Sequence, residues 1–312
     1  MTPEPVGSTG RGEVPARVLA DIAQLPLRAR VLADSVLAGI HRSRHHGSSV
    51  EFAEHKEYSA GDDLRHLDWR AYARFERDYI KRFEDEANVR ALCVIDTSGS
   101  MAHPSEPRPA DAMRKLDFAA TCAGALAYVL ARQGDAVGLA SFDERLEMRL
   151  PARARRGHLQ EVLAQLGGLR AQGPSRLQDV SDALAEGLRQ RTVVALFTDM
   201  LDGGLDALAS LGRLRARRHD VVLFHVLHPD ELEFPFEEAT TFTSMEDDRE
   251  VKVDARAIRS AYLEEMNKFR RSVEATCQKA RIEYRLLRTD QGPGRVLAAF
   301  LTERLRRRAT LR

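Results

Sequence analysis

From residue 90 onward strands and helices alternate, which predicts an α/β fold: a mostly parallel, Rossmann-type sheet with helices on both faces. Two further observations support that class. The segments 90–95, 136–142, 192–197 and 220–227 are nearly unbroken apolar runs, as expected of strands buried on both sides. Between them lie stretches of ten residues or more with helical spacing, and 43% of the chain is apolar, enough for a sizeable core.

Residues 15–40 carry Val18, Leu19, Ile22, Leu25, Leu27, Val31, Leu32 and Leu37 at three- and four-residue steps, a helix that Pro26 is expected to break or kink. The segment 50–90 is densely charged, yet Phe52, Tyr58, Trp69, Tyr72, Phe75, Tyr79 and Phe83 argue for order. A strand at 90–95 precedes a helix near 111–133 that has apolar residues nearly all round and Gly134 as its natural stop. Strand 136–142, an edge strand at 145–150, helices near 158–167 and 177–189, strand 192–197, helix 205–217 and strand 220–227 continue the alternation. An excursion at 229–253 holds a hairpin formed by 240–244 and 250–253. Asp254 then caps a long helix whose stripe runs through Ile258, Tyr262, Met266, Phe269, Val273 and Cys277. Strand 282–287 and a helix near 294–308 close the chain. The expected organisation is a flexible tail at 1–14, an N-terminal helical and hairpin arm at 15–89, and an α/β domain at 90–312.

The charge balance narrows the function. With 48 basic and 47 acidic residues the charges nearly cancel, against the strongly basic character of a dedicated nucleic-acid binder. The longest apolar stretch, 118–131, is too short to span a bilayer, and the N-terminal residues have no signal-peptide core. Cys93, Cys122 and Cys277 are widely spaced and form neither a metal motif nor a disulfide framework. A soluble protein of a reducing cytoplasm is expected.

The chemistry gathers at strand ends. The run 91–95 ends in Asp96-Thr97-Ser98-Gly99-Ser100-Met101, a carboxylate followed by two hydroxyls at alternate positions. The strand 192–197 ends in Thr198-Asp199, and Ser175 lies in a loop before the helix at 177. In an open α/β sheet ligands bind beyond the carboxyl ends of the strands. Asp96, Ser98, Ser100, Ser175 and Asp199 thus form an all-oxygen set suited to a hard cation, Mg²⁺ first, with Mn²⁺ or Ca²⁺ as substitutes. Asp-x-Ser-x-Ser with a later hydroxyl and a later Asp resembles the metal-ion-dependent adhesion site of von Willebrand factor A-type domains. Ser175 stands where that family has Thr. The resemblance implies a metal that accepts an acidic side chain from a partner, with no catalysis. Two enzymatic readings fare worse. An aspartic protease needs two such loops in an all-β fold. A dehalogenase-type phosphohydrolase using Asp96 needs a second Asp where Ser98 stands. No phosphate-binding Gly-x-x-x-x-Gly-Lys loop is present.

The arm carries Glu51-Phe52-Ala53-Glu54, then Tyr58-Ser59-Ala60-Gly61-Asp62-Asp63-Leu64-Arg65-His66-Leu67-Asp68-Trp69, then Ala73-Arg74. Taken alone, this mixed-charge run reads as a solvated ion-pair network, or as a docking surface using Asp62, Asp63, Arg65, Asp68, Trp69 and Arg74. Joined to the Asp96 motif, it is similar to a bacterial family catalogued as domain of unknown function fifty-eight, over roughly residues 25–305. That resemblance implies an adaptor working beside a MoxR-type AAA+ ATPase in maturing or remodelling client proteins. The competing expectation is a metal-independent scaffold that binds through residues 51–86.

Overall fold

The computed structural model describes residues 14, 19, 24–45, 55–57, 79–81, 89–104, 113–201, 204–246 and 249–310. The chain divides into two compact units, residues 42–88 and the remainder. In the smaller, β1 (His55–Glu57) pairs antiparallel with β2 (Tyr79–Lys81), with His55 opposite Lys81. The proposed docking residues Asp62, Asp63, Arg65, Asp68, Trp69 and Arg74 lie outside the described residues.

The larger unit holds a six-stranded sheet in the order β10-β7-β6-β3-β4-β5. Its strands are β3 (Arg90–Asp96), β4 (Ala136–Phe142), β5 (Leu146–Arg153), β6 (Val193–Thr198), β7 (Asp220–Leu227) and β10 (Glu283–Arg288). All neighbours run parallel except β5, which pairs antiparallel with β4 at the edge. The antiparallel sense follows from the short link between β4 and β5, too short for a helical crossover. Counted within this sheet the order is the doubly wound 3-2-1-4-5-6, so the chain changes direction between β3 and β6. That pair is the topological switch point, and its carboxyl ends carry Asp96 and Thr198-Asp199.

Two cores flank the sheet because successive residues of a strand face opposite sides. On one face Ala91, Cys93, Ile95 and Phe197 pack against α1 (Leu25–His45), α2 (Lys115–Arg132), α3 (His158–Gly167) and α8 (Gly294–Thr310). On the other, Leu92, Val94, Val194 and Leu196 meet α4 (Leu177–Gly187), α5 (Gly204–Ala216) and α7 (Ala255–Lys279). The small residues of α2 let it lie close to β3 and bury nearly its whole circumference. Gly134, at φ +81°, turns the chain out of this helix, as expected.

Two expectations are corrected. The arm does not begin at residue 15: Ala29, Leu32, Ala33, Val36 and Ile40 of α1 belong to the larger unit's core, because their stripe is apolar enough to need a partner. Pro26 lies in the first turn of α1, where a missing N–H costs nothing.

The excursion after β7 starts with a five-residue helix, α6 (Pro229–Glu233), followed by the hairpin β8 (Ala239–Thr243) and β9 (Glu250–Asp254). Phe234, Phe236, Phe242 and Tyr262 form an aromatic cluster tying it to α7. Asp254 caps α7 by accepting hydrogen bonds from the N–H groups of Arg256 and Ala257.

Candidate metal centre

Asp96 ends the central strand and is 1% exposed. Thr97 fixes the start of the loop, its N–H and hydroxyl both donating to the Phe142 carbonyl at 2.7 and 2.8 Å. The chain then enters a short 3-10 turn, Gly99–Ala102. This turn brings the hydroxyls of Ser98 and Ser100 to 3.2 Å of one another. Asp96 receives the Ser98 N–H on Oδ1 at 2.9 Å and the Thr198 hydroxyl on Oδ2 at 2.6 Å, a bond that joins the two strands of the switch point.

The second loop is held against the first by main-chain bonds: Gly99 N–H donates to the Gly173 carbonyl at 2.7 Å, and Gln172 N–H to the Thr97 carbonyl at 2.8 Å. Gly173 sits at φ +69°, in the left-handed region that glycine enters at no steric cost. Ser175 follows, buried, its hydroxyl with no hydrogen-bond partner among the described residues. A buried hydroxyl left so costs on the order of 1–3 kcal/mol, so it marks an expected ligand position. On the third loop Asp199 accepts the Leu201 N–H on Oδ1 and is hydrogen-bonded by Ser100. The neighbouring Met200 is itself held at φ +58°. All five residues expected from the sequence therefore lie on three loops at one end of the sheet. The loops of Asp96, Ser98, Ser100 and Asp199 are joined by direct bonds, and that of Ser175 through the main chain.

Lys115 is the residue that sequence reasoning missed. It begins α2 at 1% exposure, and its ammonium donates to Asp199 Oδ2 at 2.7 Å and to Glu231 Oε1 at 2.6 Å. Glu231 in turn accepts the His228 N–H at 2.7 Å. Burial works against the charge on Lys115, but the two carboxylates outweigh it and hold its pKa above the ordinary value. Burial likewise opposes the charge on Asp199, and Lys115 overrides it, keeping that carboxyl below its usual range. Among the described residues no cation is bonded to Asp96. Burial, then the nearby charge of Asp199, push its pKa up to about 7 against the hydrogen bonds from Thr198 and Ser98. His225, between the Asp199 carbonyl at 2.9 Å and the Tyr284 hydroxyl at 3.0 Å, is pushed down to about 4 by burial and is neutral at pH 7.

These residues fit a hard divalent cation. The donors are all oxygen, Ser175 offers a spare hydroxyl, and Asp96 is a buried carboxylate short of one positive charge. A separate group nearby, His103, His228 and Asp230, has potential ligand atoms within 4.8 Å of each other. There, however, Nδ1 of His228 accepts the Asp230 N–H at 3.1 Å and serves as the N-cap of α6.

A match to the family described as protein of unknown function DUF58 spans residues 54–272. The chain belongs to that family. Curated relatives include the uncharacterized proteins Rv1480 of Mycobacterium tuberculosis and Mb1516 of Mycobacterium bovis. Each is 27% identical over 230 residues, covering 72% of this chain and 70% of the relative. Among solved structures the fold is similar to the conserved hypothetical protein BatB from Bacteroides thetaiotaomicron, at 12% identity and TM-score 0.45, over 72% of this chain and all of that one. It is also similar to an aerotolerance-related membrane protein from Bacteroides fragilis, at 16% identity and TM-score 0.43, over 67% of this chain and 96% of that one. In this chain, among the described residues, no helix is long and apolar enough to cross a membrane.

Proposed function

We propose that this member of the DUF58 family is a metal-dependent protein-binding module, not an enzyme, and that Asp96, Ser98, Ser100, Ser175 and Asp199 hold Mg²⁺ at the switch point. One observation carries the reading: three loops bring these oxygens to one end of the sheet, and Asp96 is a buried carboxyl group with no cation bonded to it among the described residues. Mn²⁺ and Ca²⁺ would suit the same donors. When bound, the ion would supply a coordination position for a partner's carboxylate. The residues of the chain hold the loops in register and exclude water. The resemblance to von Willebrand A-type domains supports this mode of recognition. The family resemblance makes a MoxR-type AAA+ ATPase, or the client it remodels, the favoured partner. Three buried free cysteines suit a reducing cytoplasm as the place of action.

One observation favours a second reading, a metal-independent scaffold that docks through residues 51–86. Lys115 already places a cation on Asp199, so part of the site's charge is met without an ion. Calorimetric titration with Mg²⁺ and Mn²⁺ separates the two. Saturable binding in the parent that is absent from a folded Asp96→Ala/Asp199→Ala double variant is expected. Partner capture that is indifferent to chelator would establish the scaffold instead.

A further inference from the structure

The buried lysine beside the centre has a consequence for what the centre binds. Asp96, Asp199 and Glu231 are three buried or nearly buried carboxylates: Lys115 bridges the last two at 2.7 and 2.6 Å, and Asp96 lies near enough to Asp199 to feel its charge. Asp96 and Asp199 would balance a divalent ion between them, and Glu231, held behind Lys115, adds a third negative charge nearby that would leave the assembly negative, so that a partner's carboxylate would approach against repulsion. Lys115 brings the balance to zero. We infer that Lys115 is the specificity-determining residue of this site: its fixed positive charge weakens the centre's hold on a cation alone and strengthens the hold of the ion-loaded centre on a carboxylate. The ligand so selected is a divalent ion together with an acidic side chain, in place of the ion by itself.

Local structure supports a fixed charge. The ammonium is 1% exposed and tied at both ends, so it does not move out to water. Its backbone is equally fixed, since Lys115 N–H donates to the His103 carbonyl at 2.9 Å, on the segment that leaves the Ser98–Ser100 turn. A charge this near another in a partly desolvated site changes affinities by about tenfold or more. Coupling between two ligands must appear equally in both affinities.

The inference rests on the metal reading, and the test separates the two. Free Mn²⁺ is followed by electron paramagnetic resonance with and without acetate, for the parent, Lys115→Met, Glu231→Gln and Asp96→Ala. In the parent, acetate is expected to tighten Mn²⁺ binding about fivefold or more. Lys115→Met should bind Mn²⁺ alone about tenfold more tightly and lose most of the acetate effect. Glu231→Gln keeps an acceptor for the ammonium but removes a negative charge, so it should shift both quantities the opposite way. If Lys115→Met does not fold, Glu231→Gln alone decides. Unchanged affinity and unchanged coupling in the folded variants would overturn the role of Lys115 while the metal site stood. A parent that takes up no more Mn²⁺ than Asp96→Ala, with or without acetate, would overturn both.

Discussion

Replacing Asp96 by asparagine should make the metal-free protein more stable at neutral and alkaline pH. Asp96 has its pKa raised from 3.8 to about 7 by burial and by Asp199. Between those values the folded chain holds a proton that the unfolded chain has released. Stability therefore falls as pH rises through this window and stays low above it. About three pKa units at ~1.4 kcal/mol each amount to roughly 4 kcal/mol lost by pH 8. Asparagine has the same shape, and its carbonyl can still accept the Ser98 N–H. Its amide, however, must face the Thr198 hydroxyl, which already accepts the Met200 N–H at 3.0 Å. That rearrangement costs about 1–2 kcal/mol, so a net gain of about 2–3 kcal/mol remains at pH 8. Urea unfolding of the parent and of Asp96→Asn in EDTA between pH 4.5 and 8.5, taken as a difference, cancels the contributions of His225 and most of that of Asp199. The gap should favour Asp96→Asn above pH 7 and close, or slightly reverse, towards pH 4.5. A variant no more stable than the parent at pH 8, or a gap independent of pH, would refute the claim that Asp96 is an uncompensated charge.

Two further perturbations probe the surroundings. An added Cβ at Gly99 would overlap the Met245 carbonyl oxygen and come within 3.3 Å of Glu246 Cγ, so Gly99→Ala should cost about 1–3 kcal/mol. Hydrogen exchange should show residues 239–254 losing protection first; unchanged exchange there would contradict the contact. His225 has its pKa lowered from 6.5 to about 4, so the unfolded chain takes up a proton first and stability falls as pH drops through that window. His225→Gln should flatten the thermal-unfolding profile between pH 6.5 and 4, and a profile as steep as the parent's would rule this out.

The parts of the architecture legible in the sequence were those set by periodicity. Continuous apolar runs gave β3, β4, β6 and β7 within a residue or two, and the Asp96 and Asp199 loops followed as the ends of two of them. Two strands that carry Asp at their carboxyl ends are recognisable without knowing that they are neighbours; that they flank the switch point is a property of the sheet order. Lys115 escaped for a physical reason. A lysine at the start of a helix reads as a solvated end, and nothing local reveals that Asp199 and Glu231, 84 and 116 residues later, converge on it. The boundary of the arm failed in a related way: the apolar stripe of α1 predicts a buried helix but does not say which unit buries it.

The long sequence separation within the Lys115 bridge also bears on the birth of the protein. A chain made from its N-terminus has α2 in hand well before either carboxylate that neutralises the lysine. Until Asp199 has emerged, burying that ammonium would leave its charge unmatched in the interior, which is costly. The finished arrangement of α2 against β3 and β6 is thus withheld from a nascent or shortened chain. Under the proposed function, readiness to capture a partner cannot precede β6 and the loop of Asp199, so a product shortened before that loop would not act as a decoy that occupies a partner without being complete.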